Sequence, residues 1–262
     1  MGDHVKQLPT GINGLDKMLD GGLPLGRSIL VCGGPGSGKT VLCMQFLCDG
    51  AVKRNEPGLY VSLDESVNHL KEEMAGFGWD IEKLEKSGKL AVVDAAPVRH
   101  IPGEVKIGDL CIGKRDFSLL SLIEIIKKNA KKINAKRAVI DPIAGLALQF
   151  DDDLGRRMAT LDLFEALAKL DTTNLIATEL KSLTIQREIL TEEFLAQGVI
   201  VLHSWRSQFV AHGGLQIEKM RGIAHDSQIR PYRITSKGIE VFSEEEPLVE
   251  VDNMISASQS LK

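Results

Sequence analysis

The sequence predicts an α/β fold in which a mostly parallel, twisted sheet is flanked by helices and finished by a C-terminal antiparallel extension. Three observations carry this expectation. Apolar runs of four to six residues alternate with longer segments of helical period from Ser28 to Thr178, the pattern of successive βαβ units. Beyond Thr178 the alternation stops, and short strand-like runs follow at close spacing, as hairpin-linked antiparallel strands do. A chain of 262 residues can also bury one large apolar core, so residues 1–242 are expected to form a single domain.

Each element has its own local reason. SILVC, from Ser28 to Cys32, is a β-branched strand in which Cys32 serves as a small apolar residue; Lys39 to Ala51 is a helix, and GLYVSL ends a second strand at Leu63. Ser66 stands where a helix cap belongs, Leu70, Met74 and Phe77 give that helix an apolar stripe, and Gly76 and Gly78 end it before Trp79. LAVVD is a strand. Residues 95–117 hold two prolines and three glycines and predict a long surface connection, a hairpin or a partner-binding excursion. Ser118 to Asn129 is helical, RAVID a strand, Arg156 to Leu170 helical and NLIAT a strand. GVIVLHSW, GLQIEKM, PYRIT and IEVF are the antiparallel runs, and residues 243–262 lose apolar period and are expected to be a flexible tail.

Composition excludes several classes. With 43% hydrophobic and 26% charged residues and no long uncharged apolar run, neither disorder nor a membrane span is expected. MGDHVKQLPTG has no secretory leader, and four cysteines without a CxxC pair fit a cytoplasmic location better than a disulfide scaffold or zinc site. A net charge of −4 argues against a broad nucleic-acid footprint. The basic run Lys127 to Arg137 reads as a solvated helix face. The weaker nucleic-acid reading rests on Arg156, Arg157, Lys181 and Arg187, offset by Asp151 to Asp153 and by Glu192 and Glu193.

The chemistry concentrates at GGPGSGKT, that is Gly33, Gly34, Pro35, Gly36, Ser37, Gly38, Lys39 and Thr40. This matches GxxxxGK[ST] between a predicted strand and a predicted helix. Glycines let backbone N–H groups curl round a polyphosphate, Lys39 neutralises its oxygens, and the Thr40 hydroxyl suits Mg²⁺. Asp141, ending the strand RAVID, is the expected second metal-side group, although a strand-end aspartate before a proline also suits a turn. Asp64 and Glu65 are candidates to activate water; the same residues would favour a helix N-terminus without any catalysis. Lys219 and Arg221 share a strand at spacing two, with His225 beyond, and either clamp a phosphate or form a solvated edge.

Taken together, TGINGLDKMLDGGLP, GGPGSGKT, LYVSLDES, FGWD and KMRGIAHD resemble the KaiC family of RecA-like P-loop ATPases over residues 8–242, most closely its single-domain members. The resemblance implies an ATP- and Mg²⁺-dependent ATPase, with nucleotide held between subunits of a hexameric ring and used as a switch on an unknown partner. It implies that Lys219 and Arg221 reach the neighbouring subunit's γ-phosphate and that Phe194 packs near adenine. The family's paired glutamates fall on Asp64 and Glu65, the first shortened by a methylene. Some relatives phosphorylate themselves on a Ser-Thr pair where Glu193 and Phe194 stand here, so autokinase activity at that place is not expected. The family's clock protein has two such domains in tandem, and circadian function is not implied.

Overall fold

The computed structural model describes residues 5–95, 104–107, 110–147, 150, 152–180, 187, 189–207 and 210–247. The first half of the described chain runs β1 (Gln7–Leu8), α1 (Asn13–Met18), β2 (Leu23–Pro24), β3 (Ser28–Gly33), α2 (Lys39–Asp49), β4 (Gly58–Ser62), α3 (Val67–Ala75), α4 (Ile81–Lys86), β5 (Leu90–Asp94), β6 (Glu104–Ile107) and β7 (Leu110–Gly113). It continues as α5 (Lys114–Ile133), β8 (Arg137–Asp141), α6 (Ala144–Ala147), α7 (Asp153–Ala168), β9 (Thr173–Glu179), α8 (Thr191–Leu195), β10 (Gly198–Ser207), β11 (Val210–Met220), β12 (Arg230–Thr235) and β13 (Gly238–Val241).

Nine strands form the main sheet in the order β13-β12-β11-β10-β3-β9-β8-β4-β5. From β10 to β5 every pairing is parallel, and β11, β12 and β13 are added antiparallel. The expected architecture is present for the reason the sequence suggests. β3, β4 and β8 are buried throughout because helices cover both faces of the parallel block, so their residues need not alternate with polar ones. Cys32 is among them, fully buried in β3.

Each face has its own core. On one, Phe46, Leu47 and Met44 of α2 pack with Leu15, Leu70 and Ile239; on the other, Leu122 and Ile126 of α5 pack with Leu163 and Leu167 of α7. Burying a side chain of this size stabilises the fold by about 1.5–3 kcal/mol. Lysines of the basic run fall on the outer face of α5, where Lys128, Lys131 and Lys132 are exposed, but the run's last member does not share that face: α5 ends at Ile133, and Arg137 starts β8 with its side chain fully buried.

Three local expectations need correction. Ser66 occupies the N-cap of α3, but its side chain makes no capping hydrogen bond; the turn is held instead by Ser62 Oγ, which donates to Glu65 O at 2.6 Å. α5 begins at Lys114 rather than Ser118, which shortens the connection after β5; the hairpin expected within it is present as β6–β7. α2 is followed by a π-helical turn, Gly50–Arg54, wrapped on a buried charge. There the Arg137 side chain is 0% exposed; Nε donates to Glu56 at 2.8 Å and Nη1 to Phe46 O at 2.7 Å, and a Cβ at Gly50 would fall 2.3 Å from Arg137 Nε. Residues 248–262, most of the expected tail, lie outside the described residues.

Candidate functional site

The parallel block places the C-terminal ends of β3, β9, β8 and β4 along one rim, where open α/β sheets build their sites. Residues Gly33 to Thr40 join β3 to α2 on that rim. Gly36 and Gly38 have φ of +73° and +91°, and a Cβ at Gly33 would fall 2.4 Å from Ser37 Oγ, so side chains at these positions are incompatible with the loop. Ser37 Oγ donates to Gly34 O at 2.8 Å, and Tyr232 OH, from β12, donates to Ser37 O at 2.6 Å. The antiparallel extension thus braces the loop, a role the sequence did not disclose.

Lys39 Nζ curls back to donate to Gly33 O at 2.9 Å and Gly34 O at 3.0 Å. Its charge is centred over the loop. Thr40 Oγ1 donates to Asp141 Oδ2 at 2.8 Å, which brings the two expected metal-side residues together across 101 positions of sequence. Tyr60 OH donates to the same oxygen at 2.8 Å; burial first, then the adjacent Asp141, hold its phenol well above the usual range, so it stays a neutral donor. Asp141 is 6% exposed, and burial raises its carboxyl above 3.8 against the lowering effects of Tyr60, Thr40 and Lys39. Glu179, at the end of β9, pushes in the same direction as burial, and sequence reasoning missed it because a strand-end glutamate carries no local signature.

Ser62 pairs with Asp141 in the register of β4 and β8, so the following Asp64 and Glu65 lie beside this corner. They are not equivalent. Asp64 is exposed, whereas Glu65 is half-buried and has its pKa raised by burial, then by Glu73 and Asp141.

The remaining candidates lie elsewhere on the sheet. Lys219 is in β11, two strands from β3, and its Nζ donates to Glu193 O at 2.7 Å. Arg221 does not share that strand. β11 ends at Met220, and Arg221 occupies an exposed turn where its N–H donates to Gln197 O at 2.8 Å. His225 is half-buried with Nδ1 3.5 Å from Ile223 O, and Phe194, on α8, is 61% exposed. Arg187, expected as an available cation, is consumed in ion pairs with Glu193 and Glu218; Arg156 pairs with Asp153, and Lys181 lies outside the described residues.

The sequence profile described as "ATPase: KaiC" matches residues 8–246. The chain belongs to the KaiC family of ATPases. It has the family's RecA-like fold and ATP-binding framework. It is 32% identical over 239 residues to the circadian clock oscillator protein KaiC of Synechococcus elongatus, a match covering 91% of this chain and 44% of that protein. Against the circadian clock protein KaiC3 of Synechocystis it is 33% identical, covering 90% of this chain and 45% of the relative. The chain therefore spans less than half the length of these curated relatives. A solved KaiC-like protein from the hyperthermophilic archaeon Pyrococcus horikoshii superposes with a TM-score of 0.77 at 35% identity, covering 91% of this chain and 99% of that one. Among the described residues no helix is long and apolar enough to cross a membrane.

Proposed function

We propose that this chain binds Mg·ATP at Gly33 to Thr40 and hydrolyses it within a hexameric ring, using nucleotide state to switch the ring or a bound partner. The observation that carries this reading is the Thr40–Asp141 hydrogen bond at 2.8 Å beneath a loop whose lysine is already centred over its own carbonyls. Those residues fit the group. Lys39 trades two carbonyl contacts for phosphate oxygens, which as anions are stronger acceptors. Thr40 and Asp141 would hold Mg²⁺, which when bound neutralises charge across the β- and γ-phosphates. The N-terminus of α2 adds its dipole to the same end.

Glu65 is the better water-activating base of the acidic pair. Its raised pKa increases basicity, and it borders the Asp141 corner, whereas Asp64 is exposed and one methylene shorter than the family's glutamate. Lys219 and Arg221 serve the neighbouring subunit's γ-phosphate, a position consistent with their placement two strands from β3 and outside this chain's own loop. Phe194 and His225 are read as nucleotide-side contacts at the same subunit boundary.

The test is incubation with γ-labelled ATP, with and without single-stranded DNA, followed by separation of free phosphate from labelled protein. Free phosphate that requires Mg²⁺ and disappears in Lys39→Ala is expected. Label retained on the protein without release, or titration calorimetry showing unchanged ATP affinity in folded Lys39→Ala, would reject the assignment. Little stimulation by DNA is expected, because Arg187 is paired with two carboxylates.

A further inference from the structure

A second buried charge cluster lies outside the phosphate loop. The side chains of Arg187 and Glu193 are only 5% and 6% exposed. Arg187 grips Glu193 through both terminal nitrogens, Nη2 to Oε2 at 3.0 Å and Nη1 to Oε1, and the same Nη2 also reaches Glu218 Oε2. Lys219, the next residue along β11, donates to the Glu193 backbone carbonyl at 2.7 Å. Glu193 Oε1 in turn accepts from Leu190 N at 2.8 Å and caps α8. A five-residue helix cannot hold itself in water. Here α8 is fastened to β11 twice, by the Arg187 bridge and by Lys219.

Neighbours on a strand ordinarily point to opposite faces, so Glu218 and Lys219 should diverge. They do not, and the pairing register explains why. Val199 opposes Lys219 while the next residue, Ile200, opposes Ile217, which leaves Glu218 as the extra residue of a β-bulge. The bulge turns both side chains toward α8. It also places Met220, not Lys219, in the core beyond Ile217. Arg187 is the only described group that ties the bulged carboxylate to the helix, and without that tie the Glu218 side chain, 30% exposed, would be free to turn to water and the bulge to relax.

We propose that Arg187 is a positioning residue: by holding Glu193 and Glu218 together it sets the β11 bulge and therefore the place at which Lys219 is presented. This rests on the reading that Lys219 acts on the neighbouring subunit's nucleotide. Arg187 then controls turnover at a site in another chain, while leaving nucleotide binding at its own loop intact.

Mixed assemblies separate these claims. Wild-type subunits are combined with an excess of Lys39→Ala subunits, which present Lys219 but have a disabled loop, or with doubles that also carry Arg187→Gln or Lys219→Ala. Turnover per wild-type site should fall by up to about a hundredfold with the Arg187→Gln double, the scale of a group misplaced by about 1 Å, with KM little changed. If the Lys219→Ala double lowers turnover but the Arg187→Gln double matches Lys39→Ala alone, the positioning role is overturned and the shared site stands. If neither double differs from Lys39→Ala alone, the shared-site reading fails and the proposal with it. Should Arg187→Gln not fold or co-assemble, Glu218→Ala removes the acceptor of one arm of the bridge and must give the same kcat-selective loss. An unchanged kcat would refute the role, and so would a rise in KM at constant kcat.

Discussion

Replacing Asp141 with Asn should stabilise the nucleotide-free protein while removing its response to Mg·ATP. The carboxylate is 6% exposed, and both of its hydrogen-bond donors, Thr40 Oγ1 and Tyr60 OH, converge on Oδ2 at 2.8 Å. An asparagine carbonyl placed there keeps both bonds. What disappears is the buried negative charge, only partly offset by Lys39 and set against Glu179. Relief of such a functional-site cost is typically about 1 kcal/mol, or about 2–4 °C in Tm for a chain of this size. The sign has a pH signature. Because burial raises the folded-state pKa above the ordinary 3.8, protonation stabilises the native state at acid pH, and that contribution is lost as pH rises through the folded value. The variant's advantage should therefore be full at pH 7 and fade as the medium is acidified through that range. Thermal melts in EDTA across pH, repeated with Mg·ATP, measure both effects. At about 100 times Kd, ligand should stabilise the wild type by about 2.7 kcal/mol and the variant far less. A variant that melts below wild type without metal at pH 7, or gains as much from Mg·ATP, would show that this carboxylate is a structural strand-end group.

Arg221→Ala should impair turnover more than ATP binding, and mixing it with Lys39→Ala subunits should partly restore hydrolysis; phosphate release at no mixing ratio above the sum of the parents would count against a shared site. Glu65→Gln should cost more in kcat than Asp64→Asn, and the reverse order under saturating Mg·ATP would move the base to Asp64. Arg137→Ala should lower stability by about 3–5 kcal/mol, since it strands Glu56 and Phe46 O, whereas Arg137→Met, which refills the volume, should lose less. Denaturant midpoints give the comparison: the loss common to both variants measures the stranded partners, and an Arg137→Met variant as stable as the wild type would refute the ion-pair argument.

The amino-acid order alone determined the parallel block and the phosphate loop, because both rest on local physics. Buried strands covered on two faces must be continuous apolar runs, and a backbone that curls round phosphate must carry glycine where φ is positive, as at Gly36 and Gly38. The antiparallel extension was legible for a similar reason, in short alternating runs such as PYRIT. Partnerships between remote positions were not legible. Asp141 could be suspected from its place after RAVID, but only folding sets its carboxylate on Thr40 and Tyr60. Tyr232 bracing the loop, Glu179 beside Asp141 and Gly50 against Arg137 leave no local trace, since each depends on which strands and helices become neighbours. Two readings at the far edge changed for that cause. Arg187 looks like a free surface cation until Glu193 and Glu218 close on it, and Lys219 and Arg221 look like one strand's pair until the strand end at Met220 separates them, while a bulge at Glu218 re-aims Lys219. Strand period predicts where a side chain points only while the ladder is regular, and tertiary pairing decides where it is interrupted.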